Sequence, residues 1–185
     1  MATVKQDRDV VEVVRSQHEQ VKGLLADVAT AASDQRGTAF QSLVRLLAVH
    51  ETAEELTVYP AIRKLGDDAK RVADERTHEE DQAKKTLAEL EGLDPSSDDF
   101  LVKFLTFRVD VEMHAESEES EVLPLLGKTD ADGRRAMGRA FLIAEDMAPT
   151  HAHRAAPESA AGNLLVGPFV AMVDKVRDAI RDLRS

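Results

Sequence analysis

Histidine and glutamate recur one helical turn apart twice in this chain: His50 and Glu54 in "LAVHETAEELTVYP", then His114 and Glu118 in "VEMHAESEESEVLP". On a helix, that spacing puts an imidazole and a carboxylate on the same face. Both pairs interrupt an apolar stripe. Phe100, Phe104, Phe107, Val111, His114, Glu118, Val122 and Leu125 share one face of the later segment, and Leu43, Leu46, Leu47, His50, Glu54 and Val58 one face of the earlier. A third stripe of Val11, Val14, His18, Val21, Leu25 and Val28 also carries a histidine midway. A lone histidine on an apolar face is ordinarily a hydrogen-bonded core residue, and a lone HxxxE is ordinarily a solvated local pair. Two glutamates and three histidines on inward faces are a different case, because ionised carboxylates in an apolar interior need a compensating cation. The chemistry expected is metal binding by His18, His50, Glu54, His114 and Glu118. Glu55 and Glu119, one position off the stripe, are expected to take no part.

The segment "ADERTHEEDQAKKTLAEL" offers a further ligand, either Glu80 or His78. Ala83, Lys84, Leu87 and Leu90 follow Glu80 at the offsets at which Val21, Lys22, Leu25 and Val28 follow His18. That alignment selects Glu80; His78 then points about half a turn away and is the alternative. Glu51 and Tyr59 are candidates for an additional ligand or a neighbouring donor. Arg76 is a candidate for stabilising developing negative charge. Tyr59 also precedes Pro60, whose missing N–H can distort the helix end.

These residues must be positioned by long helices. Sparse Gly, Pro and Ser clusters divide the chain into amphipathic segments at about residues 7–30, 38–65, 68–91 and 98–126, with Ser96 or Ser97 as a cap for the last. No segment alternates in the manner of a strand. The fold class expected is all-α, an up-and-down four-helix bundle over residues 1–127. Residues 128–185 are expected to form a helical extension packed on it, with a helix near 130–147, a Pro/Ala-rich loop, and a last amphipathic helix. His151 and His153 in that loop lack a carboxylate at helical spacing and are read as surface residues.

Composition narrows the partners. The 185 residues are 43% hydrophobic, enough for a core, and carry a net charge of -11, which disfavours nucleic acid and anionic membrane surfaces. Zero cysteines exclude thiolate ligation and thiol catalysis, so nitrogen and oxygen must hold any metal. No secretory or membrane-spanning pattern is present, and a cytoplasmic location is expected. No phosphate loop, GxSxG elbow or dinucleotide fingerprint appears.

The order His18, His50 to Glu54, the third-helix position, and His114 to Glu118 resembles the hemerythrin-like proteins, the HHE cation-binding domain. The resemblance covers about residues 7–126 and includes the endings "YPAI" and "LPLL", with Pro60 and Pro124. It implies a pair of iron ions with an oxo or hydroxo bridge, Glu54 and Glu118 as bridging carboxylates, and His18, His50 and His114 as terminal ligands. The oxygen carriers of that family have two histidines a turn apart on the third helix, where this chain has Arg76 and Glu80. A carboxylate there favours the ferric state and argues against reversible oxygen carriage. The expected reactants are O2, hydrogen peroxide or nitric oxide, with peroxide turnover preferred. The alternative is an iron- or oxygen-responsive module without turnover, whose extension meets a protein partner.

Overall fold

The structure is a computed structural model and describes residues 8–147. Every regular element among them is helical: α1 (Val10–Thr30), α2 (Ser33–Ala53), α3 (Tyr59–Ile62), α4 (Asp67–Glu91), α5 (Asp98–Ser117), α6 (Leu123–Leu126) and α7 (Ala131–Met147). Asp9 caps α1 by accepting from the Val11 N–H at 3.0 Å, and Ser97 caps α5 by accepting from the Phe100 N–H at 3.1 Å. Gly66, at φ 124, makes the left-handed turn that ends one helix and opens α4.

Two apolar clusters show how the helices run. One gathers Val10, Val13 and Val14 from the start of α1, Val49 and Ala53 from the end of α2, Ala73 from the first half of α4, and Leu123 and Leu126 of α6. The other gathers Val21, Leu25 and Val28 with Phe40 to Ala48, Leu87, Leu90, and Phe100 to Val111. Starts meet ends, so consecutive long helices are antiparallel, and the bundle is up-and-down. Phe40 meets Phe100 edge-on at 5.0 Å between centroids, locking α2 to α5 at the second cluster. His18, His50, Glu54, Glu80, His114 and Glu118 occupy the layer between the clusters.

The second helix starts earlier than expected, at Ser33 rather than near residue 38. The cluster "SDQRG" reads as a breaker, yet Ser33 and Asp34 form the first helical turn, and Gly37 lies under the Pro95 ring, whose Cγ is 3.5 Å from where a Cβ would sit. Both HxxxE helices are also discontinuous. A π-helical turn over Glu54–Val58 separates α2 from α3, and another over Glu118–Val122 separates α5 from α6. In each, the residue after the turn donates its N–H five residues back, Tyr59 to the Glu54 carbonyl and Leu123 to the Glu118 carbonyl. Pro60 and Pro124 follow immediately; each lacks an N–H and its ring displaces the carbonyl one turn earlier.

Helix α7 packs against α1 and α2, with Phe141, Leu142 and Ala144 in the first apolar cluster. Arg134 donates to Asp9 at 2.7 Å, tying the start of α7 to the cap of α1. No helix among the described residues is long and apolar enough to cross a membrane. The Pro/Ala-rich loop with His151 and His153, and the last amphipathic segment, lie outside the described residues.

Candidate metal centre

The central layer brings six donors together from four helices. His18, His50, Glu54 and Glu118 each offer one atom, and all four atoms lie within 4.8 Å of one another. Glu54, Glu80, His114 and Glu118 form a second such group within the same limit. The two sets share Glu54 and Glu118, so two cation positions would sit side by side with both carboxylates between them.

Each imidazole is aimed by an acceptor on its outer nitrogen. His18 Nδ1 lies 3.0 Å from Glu119 Oε1, His50 Nδ1 2.9 Å from Gln17 Oε1, and His114 Nδ1 2.8 Å from Glu79 Oε2. An acceptor at Nδ1 keeps the proton there and turns the Nε2 lone pair inward, the arrangement that orients metal-binding histidines. The inner nitrogens face the shared carboxylates: His18 Nε2 is 3.2 Å from Glu118 Oε2, His50 Nε2 3.3 Å from Glu54 Oε2, and His114 Nε2 3.6 Å from Glu118 Oε1.

Helical phase therefore missed Glu119, Glu79 and Gln17. Glu119 was expected to face away but orients His18, because it follows Glu118 in the first residues of the π turn, where an ideal wheel fails. Gln17 and Glu79 carry a different signal, each being a polar neighbour of an expected site residue in sequence or on an adjoining helix. Glu55 contacts Lys84 Nζ, and it enters neither donor set.

Electrostatics favour a cation. Burial, reinforced by Glu118 and Glu80, raises the Glu54 carboxyl well above its ordinary range. Burial and the charge of Glu51 do the same to Glu80. Burial also pushes Glu118 upward, but the neighbouring histidines, His114 first and then His18 and His50, outweigh it and hold that carboxyl well below the usual range. His50 is lowered to about 4, chiefly by burial, which leaves its ring neutral and able to donate a lone pair. Glu54 Oε2 and His114 Nε2 are buried with no hydrogen-bond partner. Buried acceptors without partners, converging between two carboxylates and three oriented imidazoles, fit a hard or borderline cation.

The remaining expected residues sort clearly. Glu80 is 1% exposed and in a donor set, whereas His78 is exposed and outside both. Tyr59 is buried and its hydroxyl donates to Glu80 Oε1 at 2.7 Å and Glu118 Oε1 at 2.5 Å. Burial and the adjacent carboxylates raise its phenol well above the ordinary value, so the proton stays on oxygen. Glu51 is buried beside the centre without entering either donor set, and burial, opposed by Lys84, raises it to about 7. Arg76 pairs with Glu79 at 2.9 Å, which places its charge behind His114 rather than among the donors.

A cavity of about 390 Å³ reaches the layer between α4 and α5. Val21, Leu47, Ala83, Val111 and Ala115 line its inner part, with His18, His50, Glu80 and His114 at its floor. His78, Gln82, Asp110 and Met113, all exposed, stand at its mouth. Glu51 and Glu79 also line it, and a passage of this size admits a small molecule.

Comparison with known proteins agrees with this geometry. An uncharacterized hemerythrin-like protein of Schizosaccharomyces pombe is 26% identical over 172 residues, spanning 91% of this chain and 85% of that protein. No solved structure matches the chain significantly. The family described as the hemerythrin HHE cation binding domain matches residues 9–126, which include all six donors and both π turns. The chain belongs to the hemerythrin HHE cation-binding domain family.

Proposed function

We propose that this protein holds two iron ions with an oxo or hydroxo bridge and reacts with O2, hydrogen peroxide or nitric oxide, with peroxide turnover as its main reaction in oxidative or nitrosative stress. The observation that carries the proposal is the pair of donor sets sharing Glu54 and Glu118. His18 and His50 would complete one position, His114 and Glu80 the other. A redox-active pair bound there supplies the two-electron exchange that peroxide dismutation requires.

The chain's own groups do the rest. The three oriented imidazoles turn their inner nitrogens toward the two positions, and the shared carboxylates fix the separation between them. Tyr59 holds a proton at its hydroxyl between Glu80 and Glu118, within reach of either carboxylate, and is the residue placed to lend or recover it. Arg76 restrains Glu79 and through it His114. The cavity gives a diatomic molecule or peroxide a way to the donor layer. A cytoplasmic setting goes with this reading.

Metal analysis and an oxygen electrode test it together. Protein from iron-supplemented cells should carry close to two irons per chain, show a near-ultraviolet oxo-to-iron band, and evolve oxygen from hydrogen peroxide. Trace iron and no band would end the reading.

A second reading, an iron- or oxygen-responsive module without turnover, is favoured by one contact: Phe141 of α7 packs edge-on against His50 at 6.2 Å between centroids. A shift of that ring on loading would be felt by α7 and by whatever partner the extension meets. Partner binding that depends on iron, in a loaded protein that leaves peroxide untouched, would select it.

A further inference from the structure

Two helical pairs face each other across the seam of α2 and α4, beside the donor layer: Glu51 with Glu55, and Glu80 with Lys84. Lys84 Nζ lies 3.5 Å from Glu80 Oε2 and 3.8 Å from Glu51 Oε2, and it contacts Glu55 Oε1. Exposure is graded along this row. The side chains of Lys84 and Glu55 are each 24% exposed, that of Glu51 7%, and that of Glu80 1%. Three carboxylates thus surround one ammonium and lead from the surface to a member of the donor set.

Glu51 is the informative member. It enters neither donor set, yet it is only 6% exposed as a residue, and its Oε2 is buried without a hydrogen bond. A lysine can be a monovalent, retractable occupant of such a cradle, because its flexible stem lets the ammonium leave for water. Oxygen donors of this kind suit a divalent cation. The cavity between α4 and α5 also reaches Glu51, so the cradle and the cavity meet at that residue.

We propose that Lys84 is a placeholder cation, and that the Glu55, Glu51 and Glu80 cradle it fills is the door through which a divalent metal ion enters the centre. The inference rests on the metal-centre reading above. An incoming ion meets Glu55 at the surface, displaces the ammonium, passes to Glu51, and is delivered by Glu80, which belongs both to the cradle and to the donors.

The test follows anaerobic transfer of ferrous ion from a chromophoric chelator to the full-length metal-free protein by stopped flow, with metal content measured at the end. Lys84→Met keeps the stem and removes the charge; it should load at least about tenfold faster at low salt, the scale on which a local charge alters an on-rate. Lys84→Arg should load no faster than the parent. Glu51→Gln and Glu55→Gln should each slow loading while final metal content stays at the parent value. Circular dichroism establishes that each variant is folded. Loading of Lys84→Met at or below the parent rate, or glutamine variants that load at the parent rate, would overturn the door. A parent protein that takes up no metal would instead overturn the centre itself.

Discussion

Glu51 offers the sharpest quantitative handle on the polar layer. Its carboxyl titrates at about 7 instead of 4.5, because burial outweighs the attraction of Lys84 and His114, with Glu55 and Glu118 adding to the burial effect. Between those values the folded metal-free protein keeps a proton that the unfolded chain has released. Stability must therefore fall as pH rises from 4.5 to 7, and this contribution levels off above. The shift is 7 − 4.5, about 2.5 units, which at about 1.4 kcal/mol per unit makes ionised Glu51 a cost of about 3 kcal/mol at alkaline pH. Glu51→Gln replaces the group with an amide that is neutral throughout. Urea unfolding of both metal-free proteins in steps across this range should show curves that diverge, the variant gaining about 3 kcal/mol on the parent by about pH 8. Glu54 and Glu80 are also raised, in part by the charge of Glu51, so Glu51→Gln relieves them as well and the divergence keeps the same sign. Curves that stay parallel to within about 0.5 kcal/mol would refute the claim that burial governs Glu51.

The shared carboxylates should be distinguishable from their neighbours: Glu54→Ala or Glu118→Ala should lower metal content towards one ion or none, while Glu55→Ala keeps two. Glu119→Ala should also keep two ions but weaken binding by about 10–100-fold, the usual cost of losing the acceptor behind a ligating imidazole, as read by competition with a chelator. Glu80→Ala should damage the centre more than His78→Ala in the same assay; the reverse order would mean that α4 is turned by about half a revolution. Tyr59→Phe removes the donor to Glu118, the carboxyl held ionised, and should cost the metal-free fold about 1.5–3 kcal/mol in urea, the range for a hydrogen bond to a charged acceptor. At Gly138 a Cβ would lie 2.1 Å from the Arg8 carbonyl oxygen, so Gly138→Ala should push α7 off α1 and lower stability by about 1–3 kcal/mol, visible as a lower melting temperature.

Much of this arrangement is legible before any coordinates, for an identifiable reason. The stripes through His18, His50 and His114 are long enough to average out local irregularity, so period alone puts the right side chains inside. Matching downstream offsets to His18 likewise picks Glu80 over His78 on α4, a helix without breaks. Legibility stops where the helix stops being ideal or where the partner lies on another helix. Glu119 sits in a π turn, and its alliance with His18 joins residues far apart in sequence. Gln17, Glu79 and the Lys84 cradle depend on which helices adjoin, which no single helix's periodicity encodes. The early start at Ser33 was hidden because Gly37, a breaker by composition, is accommodated beneath Pro95.

The π turns have a consequence for how this chain can vary. An unbroken α-helix puts all its residues on one angular timetable, so aiming one side chain constrains every other. The wider turn resets the timetable. Upstream of it, His50 and Glu54 answer only to the geometry of the central layer; downstream, Tyr59 and Ile62 answer to the closing end of the bundle, and His114 with Glu118 are likewise uncoupled from Leu123 and Leu126. Substitutions that repack the bundle's end can therefore accumulate without re-aiming the donors. Removing one residue from 55–57 would produce a more regular helix, but it would swing Tyr59 by about 100° from its two carboxylates and merge two separately adjustable parts into one.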